Sequence, residues 1–443
     1  MGGLLRLGCA DPAPDRPIWH PLDSGSAAGQ GGGSASHATR CGRDVPTPLR
    51  RVFASPAFRR LWAVGAIANA MRWVEILVAA VFTFEVTGSA FAVSVVAMLR
   101  ALPMLLAGAV AGAIAEVLDR RRLLMAGQAA VAASGFTIAG LSFAGALQVW
   151  HLGAAGLLAG LVWTGEMASR RRMLTEAAGE RDMVQAMALD TLTSNTTRMA
   201  GPLLGGLLYE SVGIGAAYAL AGCCYLTTFV LLSGVRLPQA RRALRPRQVL
   251  LDVAEGIATV RRLPVLQAVV LATVAMNVFA FSFTTVLPAL GTLAYGATPL
   301  QIGLLTAAEP AGALLAGLVL ATRRAAPLSA LAMLAGCGGF MLALLLLPLM
   351  PLLWLAVGLL LLGGCGSSLF AALQTALAVT AAPPEARSRV LGLVTTCIGT
   401  GPFGVLLMGA LADALGPRSA IPIIAAAGLA LLVVGGAVTL RRR

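Results

Sequence analysis

The sequence predicts an all-α integral membrane protein, with twelve transmembrane helices arranged as two pseudo-symmetric six-helix halves. Three observations carry the prediction. Apolar runs of membrane-crossing length recur from Leu61 almost to the C-terminus, arginine is segregated among the loops between them, and segments of one half reappear in the other at a nearly constant offset. A chain of 443 residues that is 58% hydrophobic and 12% charged, with a mean hydropathy of +0.83, falls outside the composition of soluble globular domains. The formal charge of +14 does not mark a nucleic-acid-binding face, because the basic residues, all arginine, sit in short connections between apolar runs.

Residues 1–49 are rich in Gly, Ser, Ala and Pro around GQGGGSAS and hold no apolar run long enough for a signal peptide, so a disordered tail is expected. The other reading starts translation at Val45, just where the membrane-type sequence begins. Crossing about 30 Å of hydrocarbon takes roughly 20 residues. Runs of that kind lie at 61–84, 91–115, 123–147, 152–169, 186–209 and 214–235, then at 264–289, 301–322, 327–349, 352–376, 389–412 and 420–439. The longest connection, 236–263, carries Arg236, Arg241, Arg242, Arg245, Arg247, Arg261 and Arg262, and divides an N-terminal half, 50–235, from a C-terminal half, 264–443. Alternate connections, together with the segments flanking the spans at either end, hold 25 arginines, whereas the opposite loops hold only Arg418. Positively charged short loops stay in the cytoplasm, so both termini are expected there.

Internal symmetry supports the same division. GLLYESVG at 206–213 echoes GALADALG at 409–416 with an offset of 203, and Pro103 and Pro310 occupy matching places in ALPMLLAG and AEPAGALLAG with an offset of 207. ERDMVQAMAL at 180–189 answers EARSRVLGL at 385–393. Two parallel halves with a site between them near the bilayer midplane are a standard transporter plan. Five of the seven cysteines, Cys223, Cys224, Cys337, Cys365 and Cys397, lie inside apolar runs as small hydrophobes, and His20, His37 and His151 are scattered. Neither a disulfide framework nor a metal site is expected.

The connection after the second span reads GAIAEVLDRRRLL: Gly112, then Glu116 four residues on, then Asp119, Arg120, Arg121 and Arg122. FRRLW at 58–62 leads into span one, TGSA occupies 87–90, RALP begins at Arg100, span five contains NTTRMAGPLLGG, and RSRVLGL spans 387–393. On these segments the chain, from about residue 50 to its end, resembles the major facilitator superfamily, and within it the bacterial efflux branch that includes exporters of enterobactin and of macrolides. Glu116 stands where that family usually has Asp, and Asp119 where many members have Gly; the sign of the acid is kept. The resemblance implies the major facilitator fold in a bacterial plasma membrane and a cytoplasmic gate built from Gly112, Glu116, Asp119, Arg120, Arg121 and Arg122. It also implies secondary active export of a drug, siderophore or other small metabolite by alternating access. In span five, Gly201, Gly205 and Gly206 permit close helix contact while Pro202 removes a ladder hydrogen bond and allows bending; plain helix packing by small residues is the equal reading.

Arg72, Glu75, Arg100, Arg198 and Glu309 fall a third to half way into their spans, where a charge costs roughly 2.5 to 3.5 kcal/mol on insertion scales. Each therefore needs a partner or water. Arg72 and Glu75 share one face of span one at i and i+3, and the repeat sets Arg100 and Glu309 at related depths, so the five are expected to line a wet central cavity. Structural pairing is the other reading for Arg100 and Arg198. A carboxyl in apolar surroundings holds a proton more readily than one in water. Glu309, whose own span offers no basic residue before Arg323, is the first candidate for proton coupling and Glu75 the second. Asn277, Phe279, Phe281 and Phe283, with Trp73 and Trp163, either form an aromatic, weakly polar wall for an amphipathic substrate or meet the more common fate of core packing or lipid contact. Glu166 and Asp190 are expected to meet the cluster Arg170 to Arg172. No GxxxxGK[ST] loop occurs in the sequence, so the expected energy source is an ion or substrate gradient. The expected partners are a small-molecule substrate, the proton and the lipid bilayer, for a monomer with no cofactor and no nucleic acid. An importer of the same fold, or a transport-inactive membrane sensor, is the alternative.

Overall fold

The computed structural model describes residues 48–117, 119–235, 255–322 and 329–441. The expected tail, save its last two residues, and most of the expected linker lie outside the described residues, as do the side chains of Gly112 and Glu116. Among the described residues, nine helices are long and apolar enough to cross a membrane, and the run Glu180–Ser233 among them holds two crossings. Together with Ala90–Val117 and Val149–Ala178 they make the twelve expected spans.

Span one, Pro56–Thr87, begins where Ser55 Oγ accepts the Phe58 N–H at 3.3 Å, with Pro56 placed where no backbone donor is needed. It ends at Gly88, whose φ of 63° turns the chain back toward span two, Ala90–Val117. Span three, Arg120–Phe143, is capped by Asp119, which accepts the Arg122 N–H at 3.0 Å. At the start of span four, Val149–Ala178, His151 Nδ1 accepts the Gln148 N–H at 3.0 Å, which gives this histidine a local capping role. Spans five and six form one helical run, Met183–Ser233, interrupted at Gly213, where φ is 77°. Helices overrun their apolar segments at the Arg-rich ends, because arginine stems cover apolar surface while their heads reach the headgroup layer.

Span seven departs from the single helix expected over 264–289. It runs as Pro264–Ala275, a π turn over Met276–Ala280, a 3-10 segment over Phe281–Val286 and a last helix Leu287–Tyr295. Span eleven is broken likewise, into Arg387–Ile398 and Gly401–Leu415. The two breaks lie together: a Cβ on Gly401 would sit 3.8 Å from the Asn277 carbonyl, and Gly404 lies directly against the Val278 carbonyl. Spans eight, nine, ten and twelve are Pro299–Thr322, Ala330–Leu346, Leu353–Ala381 and Pro417–Arg441.

Each half has its own core. Met71, Val74, Val131, Ile138, Leu152, Tyr218 and Tyr225 pack spans one, three, four and six together. Met276, Phe283, Leu287, Phe340, Met341 and Leu360 do the same for the C-terminal half, and Leu77, Val81, Phe84 and Val93 of spans one and two join that cluster across the boundary. Large apolar side chains such as Leu106, Phe143, Leu318, Leu349 and Val434 point outward, as a protein solvated by lipid requires.

Candidate transport site

The five charges within the spans divide into two groups. Glu75 of span one and Arg100 of span two pair at 3.1 Å inside the N-terminal half, where Tyr218 of span six lines the same small cavity. Arg72 lies beside them, its guanidinium 4.5 Å from the Trp163 ring centre and 5.6 Å from that of Trp73. Asn69, Arg72, Arg100, Gln128, Trp163 and Glu166 contribute polar groups to the mixed lining of a cavity of about 20 Å³, a volume that suits one water molecule. Arg72 Nη1 and Trp163 Nε1 are buried and make no hydrogen bond among the described residues. The expectation of one wet central cavity shared by all five charges is thus corrected: Arg72, Glu75 and Arg100 belong to the interior of one half, because spans three, four and six close around them.

Arg198 and Glu309 form the second group, and they join the halves. Arg198 Nη2 of span five donates to Glu309 Oε2 of span eight at 2.6 Å, and Ser367 Oγ of span ten donates to the other carboxylate oxygen. Glu309 is only 1% exposed, whereas the Arg198 side chain is 30% exposed. The Arg198 guanidinium lies 5.9 Å from the ring centre of Trp73 in one half and 5.6 Å from that of Phe281 in the other, separations at which a ring face attracts a cation. The basic partner that Glu309 lacks in its own span is supplied from the other half, 111 residues away in sequence.

The aromatic wall is divided as well. Phe281 faces Arg198, but Phe283 is fully buried edge-on to Phe340, with ring centres 5.9 Å apart, and Phe279 packs against Gly428 of span twelve. Asn277 Nδ2, in the π turn, donates back to the Thr273 carbonyl of the preceding helix at 2.8 Å, and Gln374 of span ten donates to Thr273 Oγ1 at 2.7 Å. Ser367, Gln128 and Gln374 escaped the sequence reading, since a single polar residue in an apolar run carries no signal of what it will face.

The glycines of span five are contact points. Gly201 lies on Trp73 and Gly205 on the Val74 carbonyl of span one, while Gly206 lies on the Pro299 backbone of span eight and the Pro202 carbonyl faces Gly303. Helical dihedrals run on through Pro202; the non-helical residue of this run is Gly213. At the Arg-rich end, Arg120 pairs with Glu176 at 3.0 Å, and Arg121 donates to the Leu232 carbonyl at 3.2 Å and to that of Ser233. These contacts tie spans three, four and six together within one half. Glu166 and Asp190 meet Arg170 at 3.4 and 2.7 Å, as expected for that cluster.

Residues 47–443 match the family model of the transmembrane secretion effectors. The multidrug efflux pump Tap of Mycolicibacterium fortuitum is 29% identical over 347 residues, which cover 74% of this chain and 82% of the relative. The enterobactin exporter EntS of Shigella flexneri is 29% identical over 259 residues, 58% of this chain and 60% of the relative. Among solved structures, a bacterial homologue of the human lysosomal transporter Spinster, inward-facing and unoccupied, superposes with a TM-score of 0.67 at 14% identity, over 88% of this chain and 96% of that one. That likeness establishes the fold. The match over nearly the whole chain, together with the two six-helix halves, makes this protein a member of the transmembrane secretion effector family, within the efflux branch of the major facilitator transporters.

Proposed function

We propose that the protein exports a small organic molecule from a bacterial cell by alternating access of its two halves, in exchange for protons, with both termini in the cytoplasm. The observation that carries this reading is the ion pair between Arg198 and Glu309, which crosses from one half to the other. A carboxylate inside a protein in lipid needs its counter-ion, and separating the pair would leave an uncompensated buried charge. A protonated Glu309 has no such need. Taking up a proton and parting the halves are therefore linked, and Ser367 gives the neutral acid a partner within its own half. Arg198, once released, keeps the face of Trp73 in its own half and parts from that of Phe281 in the other, and the space between them receives a substrate with an aromatic or polar group. The relatives named as a multidrug pump and an enterobactin exporter support efflux of drugs, siderophores or other metabolites as the task.

Reconstituted protein carrying Glu309→Gln is expected to keep substrate exchange across the membrane but to lose uphill transport driven by an imposed pH gradient, because exchange needs no net proton movement. Uphill transport at the wild-type rate would remove Glu309 from coupling and pass the role to Glu75 or to another ion.

A further inference from the structure

On the face opposite the Arg-rich loops, the outer ends of spans five and eleven carry the same device. Glu210 Oε2 accepts the Leu300 N–H at 3.0 Å, the first free donor of span eight after Pro299. Asp413 Oδ1 accepts the Ala90 N–H at 2.7 Å, and its Oδ2 accepts from Ser89 Oγ at 2.5 Å, at the start of span two. Each carboxylate thus caps a helix N-terminus that belongs to the other half.

The surroundings repeat as well. Four residues before each acid a glycine lets the backbones meet: Gly206 lies on Pro299 and Leu300, and Gly409 lies on Ser94 and the Ala90 carbonyl. Three residues after each acid comes a left-handed glycine that ends the span, Gly213 with φ 77° and Gly416 with φ 82°. All three pairs share the offset of 203. A helix start carries unpaired N–H groups and the positive end of its dipole, so an anion held there by a neighbouring element draws that element in. Both acids are exposed.

We infer that Glu210 and Asp413 are a paired latch that holds the two halves together on this face, and that they are positioning residues which set how often the face opens during transport. The latch rests on the alternating-access reading but needs neither a proton at Glu309 nor any particular substrate. Each cap acts on one opening equilibrium, so their effects multiply.

The test uses Ser94→Cys as a reporter in a background whose seven native cysteines have been replaced. Ser94 is fully buried and meets Thr285 Oγ1 of span seven at 3.3 Å, so its labelling by an impermeant thiol reagent reports parting of the halves. Asp413→Asn and Glu210→Gln should each raise the labelling rate by about two- to fivefold, and the double variant by about the product. Asp413→Glu and Glu210→Asp should stay near the parent rate. Ala221→Cys, fully buried within the N-terminal half, should remain unreactive throughout. A double variant that labels at the parent rate overturns the latch, and so does a rise at Ala221→Cys, which would mean that the half itself had loosened. If the rise is seen only in inverted vesicles, the latch stands and the proposed sidedness falls.

Discussion

Glu75 with Arg100 and Glu309 with Arg198 are the same chemical pair in two mechanical settings. The first is enclosed by spans of one half, so nothing in a rocking motion of the halves separates it. The second spans the boundary between the halves, where the proposed alternating access would pull it apart. Charge is alike and both acids are buried, but Arg198 is more exposed than Arg100; under the proposed exchange, position relative to the boundary would make the first pair a fastener and the second a switch.

Removing the acids one at a time separates the two pairs most directly. Glu75→Gln leaves the Arg100 guanidinium buried without its counter-ion, and a loss of about 3 to 5 kcal/mol is expected. Thermal unfolding of purified protein would show it, and replacing Arg100 by Met as well should restore much of the loss. Glu309→Gln should cost clearly less, because the Arg198 side chain is 30% exposed against 17% for Arg100 and keeps two aromatic faces. Equal losses would mean that the setting has no energetic content.

A smaller effect separates contacts across the boundary from contacts with lipid. A methyl group added at Gly206 runs into the Pro299 backbone of the other half, whereas Gly339 has open space around its Cα. Gly206→Ala is expected to destabilise by about 1 to 3 kcal/mol as overpacking does. Gly339→Ala should be neutral or gain about 0.5 to 1 kcal/mol of helix propensity. Matching unfolding temperatures for the two variants would argue that spans five and eight do not meet as closely as described.

The smallest effect is expected where the same kind of pair lies outside the spans, partly buried between the helix Pro48–Ala54 and the connection from span four to span five. Arg51 donates to Asp182 at 3.0 Å, and that hydrogen bond holds the Asp182 carboxyl below the usual carboxylate range. A group whose folded value is depressed stabilises fully above its unfolded value, about 3.9 for Asp, and the contribution fades as pH falls through the folded value. The stability deficit of Asp182→Asn should therefore be constant from about pH 8 to 5 and shrink in stronger acid. A deficit that shrinks as pH rises would show that the pair has the wrong sign.

Twelve crossings, two halves and the arginine-rich face were legible in the sequence, because apolar length and loop charge are local properties that the bilayer reads directly. Even the contact glycines were visible as a spacing, and the break in span eleven had its signal in Gly399, Gly401 and Pro402. The break in span seven had none, since the run from Met276 to Val286 contains neither Gly nor Pro. Partner choice was decided only by the tertiary structure. Glu309 reads as unpaired along its own helix and is paired by Arg198 from the other half; Glu75 reads as a neighbour of Arg72 and is paired by Arg100. The echo of 206–213 in 409–416 was readable as symmetry, but only packing showed that its acids, Glu210 and Asp413, reach helix starts in the opposite half. In lipid the apolar pattern says which residues can be inside, while the face each helix turns to its neighbours is set by backbone approach at small residues, and that is a property of pairs of helices, which one strand of sequence does not contain.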